Sequence, residues 1–125
     1  MEEKIEKNLY KKELGRRGEE FAVLFLENNG YSILERNFRS KTGEIDIIAK
    51  KNKEYIFVEV KTRTSKRYGR PIEAVNKNKM KHIINTSKYY ILKNNLQNLF
   101  VRYDIIEIYL IGNKILINHI KNVFY

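Results

Sequence analysis

The chain has 125 residues, 42% of them hydrophobic, and its 25 Lys and Arg against 15 Asp and Glu give a formal net charge of +10. This length and hydrophobic content fit one domain with a real core and exclude a disordered chain. The charge favours a polyanionic partner, although a Lys- and Asn-rich composition also arises from genomic base bias.

The absence of cysteine excludes disulfides and thiolate zinc sites. The first 20 residues are charged throughout and contain no apolar segment of the kind found in signal peptides. The apolar run FAVLFL is far shorter than the roughly 20 residues that a membrane-spanning helix needs. We therefore expect a cytoplasmic protein without a membrane segment.

The predicted elements follow the order helix, three strands, helix and two strands. Residues 1–10 are expected to form a loose polar lead-in, and apolar spacing predicts helices from about Lys12 to Asn29 and from Pro71 to about Lys93. Five strands are predicted at about residues 31–39, 43–50, 54–62, 99–111 and 114–120. We predict a single α/β domain over 1–125, in which helices cover a sheet.

The segment GEIDIIAKKNKEYIFVEVK, residues 43–61, places charged residues inside apolar strand patterns. Antiparallel pairing of Lys50 with Tyr55 sets Asp46 opposite Glu59, and alternation puts both on one face with Lys61. The opposite face is predicted to be wholly apolar and to carry Ile45, Ile47, Ala49, Ile56, Val58 and Val60. The charged end of the first face therefore needs an explanation.

Two carboxylates that face each other across a hairpin repel. A divalent cation such as Mg²⁺, which binds oxygen ligands, would remove that repulsion. Lys61 would then stand beside the metal, where an ammonium stabilises charge that develops on phosphorus. The simpler alternative is an exposed patch in which Glu59 pairs with Lys61, and Asp46 with a nearby Lys or Arg.

Each predicted helix carries one further charged residue on its inward side. Glu19 lies at the edge of the apolar stripe of the first helix and is a candidate third acid, or a partly exposed side chain. Lys79 lies on the inward line of the second helix and is a candidate phosphate contact, or a side chain that reaches solvent. Gly15 and Gly18, each costing about 1 kcal/mol relative to Ala in a helix, predict close approach to a neighbour or a phosphate.

The segment KTRTSKRYGR, residues 61–70, begins where the charged end of the hairpin face stops. Basic side chains beside a metal site suit a protein that holds a phosphate backbone. The candidates for this contact are Arg63, Lys66, Arg67 and Arg70, joined by Arg39 and by Arg16 and Arg17 of the first helix. The alternative is a solvated loop.

An acid in one strand and acid-x-Lys in the next, here Asp46 and then Glu59-Val60-Lys61, resembles the pattern of PD-(D/E)xK nucleases. Glu19 in the preceding helix is similar to the arrangement in archaeal Holliday-junction resolvases. From Gly15 to about Ile106 the chain resembles the small bacterial YraN-like family, through GRRGEEFA, RNFRSKTGEIDIIA, FVEVKTR, YGRPIEAVNKNK and VRYDII. Ile45 stands where the pattern has its proline.

The resemblance implies a restriction endonuclease-like core (α-β-β-β-α-β), with a central mixed sheet flanked by helices and an extra C-terminal strand. It implies Mg²⁺ or Mn²⁺ bound by Asp46, Glu59 and the Val60 carbonyl, with Lys61 as the catalytic lysine and Glu19 as an auxiliary acid. The implied activity is phosphodiester hydrolysis in DNA, including branched or damaged DNA.

Two other functions stay open at this point. One is cleavage of RNA, and the other is a non-catalytic nucleic-acid-binding or partner-docking module on the same fold. Resolvases of this fold act as two-fold dimers, so a homodimer is also an expectation. The last strand pair, 100–120, would then either provide the interface or complete the sheet.

Overall fold

The protein forms a mixed β-sheet with one helix on each face, in a computed structural model that describes residues 2–65 and 76–123. The helices are α1 (Glu2–Asn28) and α2 (Lys77–Lys93), and the strands are β1 (Ser32–Ser40), β2 (Gly43–Lys51), β3 (Glu54–Arg63), β4 (Phe100–Ile111) and β5 (Lys114–Ile120). The strands lie side by side in chain order; β3 and β4 are parallel, and the other neighbours are antiparallel. The predicted α/β class, mixed sheet and added C-terminal strand are confirmed.

Two apolar clusters hold the helices on the sheet. The cluster beneath α1 contains Ala22, Leu26, Tyr31, Ile47, Ala49, Ile56, Val58, Ile106 and Ile108. The cluster beneath α2 contains Phe38, Ile45, Ile48, Phe57, Ile83, Tyr90, Ile105 and Val123. Each large apolar side chain that is fully buried contributes roughly 1.5–3 kcal/mol, so these two clusters stabilise the packing of both helices on the sheet.

The first helix is longer than its apolar pattern predicts. It begins at Glu2 rather than near Lys12, so the expectation of a loose lead-in over residues 1–10 is wrong. This half of α1 is rich in Glu, Lys and Leu, which favour helix without burial, and residues 8–13 are exposed. Helix propensity therefore extends α1 where hydrophobic periodicity is absent, and α1 ends before Gly30 (φ +87°), as predicted.

The second helix begins at Lys77, behind the N-cap residue Asn76, whose side chain accepts a hydrogen bond from the Lys79 amide at 2.9 Å. The predicted start at Pro71 lies outside the described residues, and the predicted end at Lys93 is confirmed. In the part of the chain that the structure describes, neither helix has the length and hydrophobicity needed to cross a membrane.

The β2–β3 hairpin has the predicted register. Lys50 lies opposite Tyr55, and Ile48 lies opposite Phe57. The regular ladder ends with the pair Ile47–Val58, one step before Asp46 would pair with Glu59. The two acids therefore lie just beyond the end of the ladder, where the strands have begun to separate.

Regular alternation breaks at Asp46. Ile47 lies in the cluster beneath α1, whereas Ile45 lies in the cluster beneath α2. The prediction that Ile45 and Ile47 share a face is therefore wrong. In the adjacent strand β1, Asn37 lies between the residues opposite Ile47 and Ile45 and has φ +52°, a left-handed conformation that Asn tolerates better than most residues. The irregular position in β1 therefore lies directly beside the break in β2.

A buried polar network joins β4 to its neighbours on the α1 side of the sheet. The Asp104 carboxylate, whose side chain is fully buried, accepts hydrogen bonds from Arg102 (2.8 Å) and the Asn122 amide (2.9 Å) and lies 2.7 Å from His119 Nε2. Arg102 also donates to Glu54 (2.9 Å) and to the Tyr31 hydroxyl (2.8 Å). This network fastens β5 and the following residues onto β4, so the last strand pair completes the sheet.

Gly18 marks the closest approach of α1 to β3. A Cβ atom added at Gly18 would lie 2.9 Å from Thr62 Cβ, closer than real Cβ atoms come to a neighbour, whereas one at Gly15 would meet nothing within 4 Å. The predicted close approach to a neighbour is therefore confirmed for Gly18, and Gly15 lies in open space. Gly18 sets the position of Glu19 above the sheet.

We expect Gly18→Ala to lower the free energy of unfolding by about 1–3 kcal/mol, because the added methyl pushes α1 away from β3. Gly15→Ala is the matched control and is expected to raise it by up to about 1 kcal/mol, because Ala favours helix and the position is open. Urea denaturation of both variants measures the difference. Equal shifts in the two variants would contradict the close packing at Gly18.

Candidate active site

The end of the β2–β3 ladder brings the carboxylates of Asp46 and Glu59, hereafter the acid pair, close together. Asp46 Oδ2 accepts a hydrogen bond of 2.8 Å from the backbone amide of Val60. This contact replaces the missing ladder pair and places the Asp46 carboxylate beside the residue that follows Glu59. The break in alternation therefore positions the first acid of the site.

The two acids influence each other electrostatically. Burial, followed by the negative charge of Glu59, raises the pKa of Asp46 to about 7, although the hydrogen bond from Val60 acts in the opposite direction. Glu19 adds a smaller effect in the same direction as Glu59. The ionised form of Asp46 is therefore unfavourable at neutral pH, and a cation bound nearby would stabilise it.

Two lysines contact the buried carboxylate of Glu59. Lys79 Nζ lies 2.6 Å and Lys61 Nζ 3.4 Å from the same oxygen, Oε1. The pairing of Glu59 with Lys61, which the sequence left as an alternative, is therefore present. Asp46, by contrast, accepts a hydrogen bond from a backbone amide, and within residues 2–65 and 76–123 no Lys or Arg pairs with it as this alternative requires.

The pKa values of Lys61 and Lys79 are shifted in opposite directions. Burial lowers the pKa of Lys61; the charge of Glu59 opposes this effect without cancelling it, and nearby Lys79 adds to the lowering. Burial also acts to lower the pKa of Lys79, but its hydrogen bond and charge interaction with Glu59 outweigh burial and raise that pKa. Lys79 therefore keeps its proton more strongly than Lys61 does.

Glu19 faces the same site from α1. Its Oε1 accepts a hydrogen bond of 2.9 Å from the Asn37 side chain and lies 3.5 Å from Arg36 Nε. Glu19, Asp46 and Lys61 line one cavity of about 790 Å³. Sequence reasoning missed Arg36 and Asn37, although Asn inside a strand pattern is unusual enough to be a signal.

Asp46 is accessible from both faces of the sheet, whereas Glu59, among the described residues, is accessible only from the α2 side. Besides the cavity on the α1 side, a depression of about 440 Å³ on the α2 side is lined by Asp46, Glu59, Lys79 and His82, among others. Asp46 contributes to both. A long substrate can therefore reach this residue from either helix.

Two of the predicted basic contacts line the α1-side cavity. Arg16 and Arg39 are exposed there, and each has an acidic neighbour: Glu13 at 2.6 Å from Arg16 and Glu44 at 3.5 Å from Arg39. Both ion pairs are exposed, and exposed pairs contribute little energy. These arginines are therefore free to exchange a carboxylate for a phosphate.

The other predicted basic contacts lie elsewhere. Arg17 is exposed and lines a separate depression with Lys114. Arg63 is mostly buried, 3.8 Å from the buried carboxylate of Glu107, so its side chain turns into the protein rather than toward solvent. Lys66, Arg67 and Arg70 lie outside the described residues.

The oxygen donors at this point suit Mg²⁺ or Mn²⁺. Among residues 2–65 and 76–123, His, Cys, Asp and Glu form no group of three or more that could hold a metal. Mg²⁺ needs only one or two carboxylates and takes waters and substrate phosphate as its other ligands. The amide and carbonyl of a strand residue point to the same side of the strand, and the Val60 amide donates to Asp46, so the Val60 carbonyl is a candidate third oxygen ligand.

The fold and these residues define the class of the protein: an α/β protein with a restriction endonuclease-like core that carries an acid and acid-x-Lys on adjacent strands. Residues 18–108 match the model of the uncharacterised protein family UPF0102. The chain belongs to this family, which is the YraN-like family that the sequence resembles.

Several relatives in this family are similar over nearly their whole length. A UPF0102 protein of Clostridioides difficile (strain 630) is 52% identical over 113 residues, which are 90% of this chain and 97% of the relative. One from Caldicellulosiruptor saccharolyticus is 47% identical over 116 residues, covering 91% of this chain and 98% of the relative. One from Persephonella marina is 48% identical over 110 residues, covering 88% and 91%.

Proposed function

We propose that the protein is a Mg²⁺- or Mn²⁺-dependent endonuclease that hydrolyses phosphodiester bonds in DNA. The observation that carries the proposal is the acid pair itself: two close carboxylates at the open end of a ladder, with Lys61 beside them and a cavity above. Burying like charges together is unfavourable, and a fold without use for them would gain stability from other residues at these positions. A net charge of +10 adds a general attraction for polyanions.

In this proposal Asp46, Glu59 and the Val60 carbonyl hold the metal. The bound metal would supply Lewis-acid stabilisation of a phosphate oxygen and a more acidic water. Lys61, which lies 3.4 Å from Glu59, donates hydrogen bonds to the phosphate oxygens as negative charge grows on them. Glu19, fixed by Asn37 and Arg36, adds a further acceptor on the α1 side.

The basic residues at the cavity rim hold the nucleic-acid backbone. Arg16 and Arg39 are exposed next to the cavity that Asp46 lines, and phosphate contacts of this kind position a strand without reading its sequence. The proposal includes DNA rather than RNA as substrate, a cytoplasmic location, and a homodimer. Ile115 and Leu116, exposed on the edge strand β5, support a contact between copies.

Cleavage assays test the proposal directly. End-labelled linear, nicked, flapped and four-way-junction DNA and a single-stranded RNA are incubated with the purified protein in Mg²⁺, Mn²⁺ or EDTA. We expect cleavage of DNA in Mg²⁺ or Mn²⁺ and none in EDTA, with an Asp46→Asn preparation reporting contaminating nuclease. Salt-dependent binding without cleavage of any substrate would contradict the nuclease proposal and favour a non-catalytic nucleic-acid-binding module. Cleavage of RNA alone would show that the substrate is RNA rather than DNA.

A further inference from the structure

Glu59 already has cationic partners in this structure, and Lys79 is the nearer of the two lysines that contact it. The Lys79 ammonium lies 2.6 Å from Glu59 Oε1, closer than Lys61 at 3.4 Å. The other acid, Asp46, is held by the Val60 amide. Positive charge is therefore concentrated on one oxygen of the acid pair, on the side that faces α2.

Lys79 can leave this position without movement of the helix. Its backbone is fixed in the first turn of α2, where its amide donates to the N-cap side chain of Asn76 at 2.9 Å. Its side chain is 40% exposed, against 21% for Lys61, and lines the α2-side depression. Rotation of a flexible four-carbon chain is enough to carry the ammonium from Glu59 into solvent.

A divalent cation and the Lys79 ammonium are alternative partners for Glu59 Oε1. Mg²⁺ binds oxygen at about 2.0–2.1 Å with near-octahedral geometry. An ammonium that stayed in hydrogen-bonding contact with the same oxygen would occupy part of that coordination sphere and would repel the metal. One of the two has to withdraw.

We propose that Lys79 is an internal counter-ion of the acid pair, which neutralises Glu59 without metal and withdraws when a divalent cation binds. This inference rests on the proposed function, because it assigns the metal to the acid pair. Lys79 then sets the metal concentration at which the site fills. The released ammonium stays in the depression that Glu59 lines, where a substrate phosphate offers it a new partner, so metal and nucleic acid strengthen each other's binding.

The Mn²⁺ affinity of the protein, measured by calorimetric titration without nucleic acid, tests whether Lys79 competes with the metal for Glu59. Lys79→Met keeps the apolar stem and removes the charge, and Lys81→Met is the matched control, since Lys81 is an exposed lysine of the same helix. We expect Lys79→Met to bind Mn²⁺ about tenfold more tightly than wild type, as expected when a competing cation is removed. Lys81→Met is expected to stay within about twofold, and Lys79→Arg, which keeps the charge, close to wild type.

The outcomes separate this inference from the proposed function. If wild type binds Mn²⁺ measurably and Lys79→Met binds it equally or more weakly, the counter-ion role of Lys79 is wrong, while the proposed metal site at the acid pair still stands. No Mn²⁺ binding by wild type or variant at millimolar concentration overturns both. A gain in affinity in Lys79→Met alone supports the counter-ion, because a lysine with a merely structural role would lose affinity or leave it unchanged when removed.

Discussion

Asp46→Asn is expected to abolish metal-dependent cleavage and, at the same time, to make the metal-free protein more stable. Asparagine has nearly the same shape, and its side-chain oxygen can still accept the hydrogen bond from Val60. It removes the negative charge that a metal needs, so we expect cleavage to fall by at least about 10³-fold. It also removes a partly buried negative charge close to Glu59.

The gain in stability depends on pH in a defined way. The pKa of Asp46 is raised to about 7 in the folded protein and is about 3.9 in an unfolded chain. An acid with a raised folded pKa weakens folding above its unfolded pKa, and the penalty grows until the pH passes the folded value. At pH 8 we expect Asp46→Asn to gain about 1–3 kcal/mol, or several degrees in melting temperature, and at pH 4 almost nothing.

Thermal denaturation in EDTA at pH 4 and pH 8, with a parallel cleavage assay, measures both effects. Glu44→Gln is the matched control, because Glu44 is a neighbouring acid of the same strand whose side chain is 43% exposed. We expect this control to change the melting temperature little. A lower melting temperature for Asp46→Asn at pH 8 would show that the hydrogen bond from Val60, rather than the buried charge, dominates at this position.

Asp104→Asn is expected to destabilise the protein by about 3 kcal/mol at pH 7. The substitution removes the buried carboxylate partner of Arg102 and leaves this partly buried arginine with the more exposed Glu54 as its carboxylate partner. Breaking a buried ion pair on one side typically costs about 3–5 kcal/mol. Glu54→Gln, which removes a half-exposed partner of the same arginine, is the control and is expected to cost less than about 1 kcal/mol.

The effect of Asp104→Asn should fade in acid. Burial acts to raise the pKa of Asp104, but hydrogen bonds from His119, Arg102 and the Asn122 amide outweigh it and lower that pKa. An acid with a lowered folded pKa adds stability above its unfolded pKa and loses it as the pH falls toward the folded value. Urea denaturation should therefore show the difference between wild type and variant shrinking below about pH 4; a constant difference would mean that packing, not charge, holds the network.

Periodicity and turn geometry were enough to predict the sheet and the proximity of Asp46, Glu59 and Lys61. The pairing of Lys50 with Tyr55 fixes the register of the hairpin, and this register alone brings Asp46 near Glu59 and Lys61. The break at Asp46 was not predictable in this way, because it is a local backbone irregularity, which lies beside a second one at Asn37 of the adjacent strand. The alternation of apolar and polar residues along a strand carries no information about a local break of this kind.

Side-chain contacts between elements that are far apart in the chain could not be predicted from the sequence either. Helical spacing placed Lys79 on an inward line, but it could not decide whether the ammonium reaches Glu59 or solvent. Arg63 was assigned to the nucleic acid, yet the structure turns it toward Glu107 of β4. That contact follows from the parallel pairing of β3 with β4. Because α2 separates these strands in the chain, no short turn fixes their register, and the sequence pattern does not predict it.

The hydrogen bond from the Val60 amide to Asp46 also gives the protein a built-in spectroscopic probe. Within the hairpin this amide donates to a side-chain carboxylate instead of a ladder carbonyl. In a ¹⁵N-labelled sample its chemical shift and its exchange with solvent report on that single carboxylate. The state of the acid pair can thus be followed at one backbone nitrogen, without any substrate and without any turnover.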